Sequence, residues 1–409
     1  MPLLPMPLPP GAWRRFGTLL VISVLAMVLY AYIDSAYSLP WNPDRPNLPM
    51  FPTAPLAKAC DGVIAPSIAE NAAAIPNIVH YIWLLADPAV LSLDFKVFVS
   101  VYSAHLFFRP DKIYFHTNAS PELWERAKAP ASSDDWTQRI LNLPNVEPLY
   151  IVNPRLTTQG VEIDTFGAKS DFIRAYALRD HGGIYLDVDA VPLRNVAPLR
   201  RSGFANVVGG ATALAPKYSG YVNTGVWLSR PHSNLATIFA EAMDTFYNGV
   251  WAISVDILTD LAYRLHAMPG EVLIMNPRAF APASWELADK KRLFKPYGNA
   301  APPVLIQGKN HDGDDTGDGL PTVPGNTCAD ALAWLQERKH RATEGWQLDF
   351  SATYVLHAFD DDASQVGGGW DGKITLSYVL ARQSNYARAV YPAIRHAIKA
   401  GVIRAEELM

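Results

Sequence analysis

The stretch that most limits what this 409-residue chain can fold into runs from Ala168 to Asp189: Ala-Lys-Ser-Asp-Phe-Ile-Arg-Ala-Tyr-Ala-Leu-Arg-Asp-His-Gly-Gly-Ile-Tyr-Leu-Asp-Val-Asp. Its first half is patterned as a helix, Ala168 to Arg179, and stops at Gly182-Gly183, where Gly182 can take the left-handed conformation that ends helices. Its second half, Ile184 to Val188, reads as a strand running into two carboxylates, Asp187 and Asp189. At i and i+2 in extended chain both point to one face, at the C-terminal strand end where open α/β sheets bind ligands. Two converging carboxylates repel, so the pair implies a bound cation or a shared proton. Oxygen donors suit Mg²⁺ or Mn²⁺, which in turn suit a diphosphate. On the preceding helix Asp171 and Arg174 stand at i and i+3, on one face. The carboxylate can accept from sugar hydroxyls while the guanidinium pairs with phosphate; the alternative is an ion pair internal to the helix.

The rest of the pattern places that stretch in an α/β fold. Strands are expected at Asn77 to Leu84, Lys112 to His116, Pro148 to Val152 and Tyr221 to Leu228. Helices are expected at Leu91 to Phe107, Leu235 to Tyr247 and Ile257 to His266. Their alternation predicts a mostly parallel sheet with helices on both faces. The tail from Ile374 to Lys399, with Tyr386, Val390, Ile394 and Ile398 four apart, predicts one amphipathic C-terminal helix. Gly308 to Gly325 carries Asp312, Asp314, Asp315 and Asp318, but Val323 stands where a calcium loop needs its bidentate Glu, so it reads as a solvated loop.

The N-terminal part reads as an address. An uncharged run from Phe16 to Ile33, about 27 Å long as a helix, follows Arg14-Arg15 and is closed by Asp34, which predicts a membrane anchor, with a cleaved signal peptide as the alternative. The basic flank keeps residues 1–15 cytoplasmic and sends the rest into the lumen, a single-pass type II topology. Prolines 40, 43, 46, 49, 52 and 55 recur at the three-residue period of a polyproline II rod, so residues 34–74 read as a stalk. With a net charge of −4 no nucleic-acid partner is expected. The two cysteines, Cys60 and Cys328, exclude a cysteine-built zinc site and could form one disulfide. Asn118-Ala-Ser120 is the glycosylation sequon.

The stretch from Ser170 through Asp189, Ser-Asp-x-x-Arg leading through Gly-Gly-x-Tyr-x-Asp-x-Asp, resembles the DXD-containing glycosyltransferases. These are the fungal outer-chain mannosyltransferases and the animal α-galactosyl- and α-N-acetylglucosaminyltransferases. Ile75-Pro-Asn-Ile-Val-His-Tyr-Ile-Trp83 is similar to the family's first strand, and His357 in Tyr354-Val-Leu-His-Ala to its late histidine. The chain departs from the pattern after Tyr247-Asn-Gly-Val-Trp251, where Ser254-Val255-Asp256 replaces a Gly-Pro, and at Trp370, displaced from the expected place soon after the histidine.

The resemblance implies a Rossmann-like nucleotide-sugar-binding fold of the GT-A type, as a single catalytic domain over residues 75–409 behind the anchor (16–33) and stalk. It implies metal-dependent, retaining transfer of a hexose from a UDP- or GDP-sugar to a glycan or glycolipid acceptor in the Golgi or ER membrane. The implied metal ligands for Mn²⁺ (or Mg²⁺) are Asp187, Asp189 and His357, and Asp187 and Asp189 are the implied catalytic residues. Donor contacts are implied for Trp83, Ser170, Asp171, Arg174, Tyr185 and Asp187. Two other readings of the acidic pair are a glycoside hydrolase and a non-catalytic lumenal sugar-binding protein of the same fold.

Overall fold

A computed structural model of the chain describes residues 74–129, 135–211, 220–250, 252–297, 346–360, 363–367 and 370–404, with positions 25 and 332 besides. The expected anchor (apart from Leu25), the proline stalk, the Asp-rich loop and both cysteines lie outside the described residues. Among the described residues no helix is long and apolar enough to cross a membrane.

The strands are β1 (Ile78–Trp83), β2 (Lys112–Thr117), β3 (Val146–Tyr150), β4 (Gly183–Leu186), β5 (Ala190–Pro192), β6 (Asn206–Gly210), β7 (Val222–Ser229), β8 (Val272–Met275) and β9 (Val355–His357). Seven of them form one sheet in the order β3-β2-β1-β4-β7-β6-β8, and β5 pairs with β9 in a separate two-stranded ribbon. All in the large sheet run the same way except β7, which is antiparallel to both β4 and β6. The expected mostly parallel sheet is therefore present, with one reversed strand in its middle.

The helices are α1 (Phe95–Phe108), α2 (Pro121–Lys128), α3 (Asp135–Leu141), α4 (Phe166–His181), α5 (Ala197–Arg200), α6 (Asn234–Phe246), α7 (Ile253–Leu265), α8 (Leu287–Phe294), α9 (Leu376–Ala381) and α10 (Asn385–Lys399). Several start on a side-chain cap: Asp94, Ser120, Thr165 and Ser233 each accept a bond from a backbone N–H of the first turn. The alternation of β1 sends Val79 and Tyr81 to one core and Ile82 to the other. Helix α1 is apolar nearly all round because it lies in the first core, while α4 and α6 bury Phe172, Leu178, Phe239 and Met243 in the second.

Two expectations need correction. The C-terminal tail is two helices, because Arg382 takes a left-handed conformation (φ 55°) and Ser384 then caps a new start. That break is useful to the fold: Gln383 O accepts from Tyr297 N at 2.7 Å, and the Ser384 hydroxyl lies 2.7 Å from Tyr378 Oη. The strand ending in Asp187-Val-Asp189 stops earlier, at Leu186, for a reason given with the site. At the other end of β4 the glycine pair is required by close packing. Gly182 N closes α4 on Leu178 O, and a Cβ on Gly183 (φ 105°) would stand 2.5 Å from Ile78 O on β1.

Beside that glycine pair lies a buried histidine chain. His80 Nε2 must donate to the carbonyl of Gly182 (2.8 Å), which leaves its Nδ1 to accept from His116 Nε2 (2.9 Å). The chain is complete with both rings neutral and cannot hold with both protonated. Burial first, then neighbouring histidines, pushes His116 down to about 3; burial likewise lowers His80 to about 4 against a raising bond from Gly182. Depressed bases stabilise the fold fully above their unfolded value near pH 6.5 and lose that contribution as pH falls towards 4. Buried Asp171 and Asp360, each raised to about 6, change stability the opposite way in the same window. The readable quantity is thus a difference: between pH 7 and 4, wild type should lose on the order of 3 kcal/mol or more relative to a His80→Gln/His116→Gln double variant. Urea titrations of both proteins check it, and parallel pH profiles would exclude a neutral pair.

Candidate active site

The acidic pair does not sit in a strand. After Leu186 the chain turns, Ala190 N donating to Asp187 O at 2.9 Å, and passes into β5. Convergence therefore comes from this turn and not from strand alternation. Asp187 is fixed to β7 by its N–H on Gly225 O (2.8 Å), and Asp189 to the end of β9 by its O, which accepts from Ala358 N (3.1 Å). The β5-β9 pairing sets His357 opposite Ala190 and so against both carboxylates. His357 Nε2 lies 3.3 Å from Asp189 Oδ1 and 3.6 Å from Asp187 Oδ2. One donor atom from each of the three falls within 4.8 Å of the others.

These separations suit a divalent cation. Ligands at right angles around an ion with bonds of roughly 2.1 Å stand about 3 Å apart, close to the spacing found here. The carboxylates are reachable, with side chains 27% and 17% exposed for Asp187 and Asp189, whereas His357 is buried. Burial opposes charge on His357, but Asp189 and then Asp187 outweigh it and raise the imidazole; the same partner holds Asp189 below the usual carboxylate range.

Asn223 settles which imidazole nitrogen faces the site. Its Oδ1 accepts the N–H of Gly225 at 2.7 Å, so that atom is the amide oxygen, and it lies 3.1 Å from His357 Nδ1. Nδ1 must carry its proton to bond there, which leaves the Nε2 lone pair for a ligand. The Phe359 ring stacks on His357 at 3.9 Å between centroids, and Phe359 itself is left-handed (φ 50°), a costly conformation for an aromatic residue. Gly225 supplies the remaining space, since a Cβ there would stand 2.5 Å from Asp187 Oδ2 and collide with the His357 ring.

Helix α4 holds Asp187 from behind. Arg174 Nη2 lies 3.0 Å from Asp171 Oδ1 and 3.3 Å from Asp187 Oδ1, and Nη1 donates to Thr224 O at 2.8 Å. Its guanidinium sits 4.4 Å from the Tyr185 ring centre, and the Tyr185 hydroxyl donates to Asp187 Oδ1 at 2.5 Å. Burial alone would lower Arg174, yet Asp187, Tyr185 and Asp171 overcome it and keep it charged. Burial is also the chief reason Asp171 rises to about 6.

Of the residues singled out from sequence, Asp187, Asp189 and His357 come together at one point. Asp171, Arg174 and Tyr185 are buried behind it, arranged as the internal ion pair and its brace. Ser170 is half-buried, its carbonyl 3.5 Å from Arg174 Nε. Trp83 is half-buried at the C-terminal end of β1, next to β4 on the same sheet edge. The Asn118 side chain is engaged, accepting from Leu85 N at 2.7 Å. Sequence reasoning missed Asn223, Gly225, Phe359 and the Lys96–Asp360 pair (2.8 Å), whose Asp360 N reaches Asp189 Oδ2 at 3.4 Å. A glycine inside the apolar run of β7 was the one local signal, since strand glycines mark close approaches.

The mostly parallel sheet, with a cation-type cluster just beyond its C-terminal strand ends, fits the α/β class read from the sequence. Residues 102–206 match the family model of the glycosyltransferase sugar-binding region containing DXD motif, so the chain carries a region similar to it. The match covers Asp171, Arg174, Tyr185 and both aspartates and leaves Trp83 and His357 outside.

A curated relative, glucan organizing enzyme 1 of Cryptococcus neoformans var. grubii, is 26% identical over 220 residues, 52% of this chain and 55% of that protein. The chain thus spans about half the length of the relative it matches. Among solved structures, the PaToxG glycosyltransferase (14% identity, TM-score 0.33) covers 53% of this chain and 78% of its own. Glycosyltransferase GlyE of Streptococcus pneumoniae (12%, 0.31) covers 50% and 46%. Likeness at that level bears on neither substrate nor mechanism.

Proposed function

We propose that the chain transfers a hexose from a UDP- or GDP-sugar to a glycan or glycolipid acceptor, with retention of configuration, in the lumen of the Golgi or ER, anchored through residues 16–33. The observation that carries the reading is the convergence of Asp187, Asp189 and His357, with Asn223 directing Nε2 inward. These three are the ligands for Mn²⁺ or Mg²⁺, which when bound neutralises charge on the departing diphosphate. Asp187 and Asp189 are the catalytic residues, and Asp187 also faces the donor's ribose or sugar. Arg174, Asp171 and Tyr185 fix the Asp187 rotamer, so their part in donor binding is exerted through it. Trp83 offers an aromatic face to the base and Ser170 a hydroxyl to the donor, both at the edge where the strands end.

A hydrolase needs one carboxyl kept protonated as the acid. Here Asp189 is held below the usual range, and Asp187 accepts from Tyr185 and pairs with Arg174, so neither is placed as that acid. The test is slow hydrolysis of a panel of UDP- and GDP-sugars by the purified chain. Turnover of one or two of them should need Mn²⁺ or Mg²⁺, stop with chelator, and give a product whose anomer, read by NMR, matches the donor. Sugar release that ignores the nucleotide and survives chelation would instead establish the hydrolase reading.

A further inference from the structure

Away from the acidic cluster, a cavity of about 350 Å³ opens beyond the C-terminal end of β8. Its walls include Arg194, Met275, Asn276, Arg278, Ser351 and Tyr354. Arg194 follows β5 and is 7% exposed, yet no carboxylate among the described residues pairs with it. Its Nη1 and Nη2 bond the carbonyls of Ser351 and Phe350, and its Nε is buried without a partner. A buried cation that meets only carbonyl dipoles and, at 5.8 Å, the Tyr354 ring is poorly compensated, which favours an anion beside it. Burial pulls Arg194 down to about 10 despite Tyr354 and the exposed Asp349. Arg278 adds a second guanidinium to the same wall, and Met275, Ala279 and Tyr354 supply apolar surface of the kind that covers a sugar face.

From this geometry we propose that the cavity is a subsite for an anionic sugar unit of the acceptor, bearing a carboxylate or a phosphate, gripped by Arg194 and Arg278. The assignment to the acceptor rests on the transferase reading above. Its position fits that role. Tyr354 at the cavity directly precedes β9, which ends in His357 at the cation cluster, and both backbones bond the segment after β8, Tyr354 N to Ala279 O (2.8 Å) and His357 N to Phe280 O (3.0 Å). Three residues of chain span at most roughly 10 Å, so the cavity lies within an oligosaccharide's length of the cluster. Guanidinium forks match carboxylate and phosphate equally in charge, so the two sources differ only in the probe that binds.

Equilibrium binding to the full chain, read by calorimetry or ligand-observed NMR, tests this without turnover. Glucuronate, glucose 6-phosphate and glucose are the probes. At least one anionic sugar should bind tenfold or more tighter than glucose, by about the gain expected of charge-assisted bonds, and weaken with added salt. Which of the two binds identifies the anion. Arg194→Met and the half-exposed Arg278→Gln should each weaken binding about tenfold to hundredfold. Binding should persist in Asp189→Asn, so failure of the subsite and failure of the transferase reading are told apart. Anionic sugars that bind no tighter than glucose, or unchanged affinity in a folded Arg278→Gln protein, would overturn the proposal.

Discussion

Asp189→Asn should reduce sugar transfer by on the order of 10²–10³-fold or more while leaving the fold intact. The amide keeps the side chain's volume and one oxygen, so the weak bond from Asp360 N and the backbone bond to Ala358 N persist. The charge is what disappears, and with it the strongest oxygen donor facing His357 Nε2. Stability should hold for a further reason. Buried Asp360 is raised to about 6 by desolvation first and by Asp189 second, so neutralising Asp189 relieves a repulsion there and offsets the lost attraction to His357. Asp187→Asn makes a useful contrast, because Arg174 would be left with Asp171 alone and the buried pair would be under-compensated. That variant should lose both activity and stability. Steady-state transfer together with thermal unfolding separates the two, and near-normal turnover by a well-folded Asp189→Asn protein would remove Asp189 from the site.

The elements read correctly from sequence are those that bury long apolar runs. β1, β2 and β7 and helices α1, α4, α6 and α7 each carry enough residues for a period to show. β5 and β9 have three residues apiece, and β6 ends in two glycines that look like a turn, so none of these announces itself. The strand expected at Pro148 to Val152 begins two residues earlier, at Val146, and Pro148 is tolerated inside because β3 is an edge strand. Helix α2, outside the expected elements, carries a start signal in Ser120-Pro121 but only eight residues of period.

At the site, the two aspartates and the Asp171–Arg174 face were legible because they are close in sequence. The arrival of His357 depends on β5 pairing with β9, a contact no local pattern encodes, and only family resemblance pointed to it. The braces Asn223 and Phe359 were illegible for the same reason: each acts on His357, whose own place was not derivable.

Gly225→Ala should disable the site as thoroughly as losing a ligand, with every ligand still present. The added methyl would lie 2.5 Å from Asp187 Oδ2 and 2.8 Å from His357 Nδ1, closer than any Cβ contact tolerates. Such a clash is cheap when the neighbour can swing away, and here neither can. Asp187 is held by the Tyr185 hydroxyl and Arg174, while His357 is pinned between Asn223 and the Phe359 ring in a buried position. β7 cannot easily retreat, because it is bonded on both sides, to β4 and β6, and Gly225 O receives Asp187 N. Relief must come from shifting one donor by some tenths of an ångström or more, which a cation demanding regular geometry does not forgive. Mn²⁺ affinity should fall about tenfold to hundredfold, as when a ligand's support is removed, and transfer should fall at least as far. The charge of the cluster is unchanged, so weakened binding would report geometry alone. Thermal unfolding should shift modestly, by the roughly 1–3 kcal/mol typical of overpacking. The decisive measurement is a Mn²⁺ titration of folded Gly225→Ala protein: wild-type affinity there would mean that Asp187 and His357 do not share an ion.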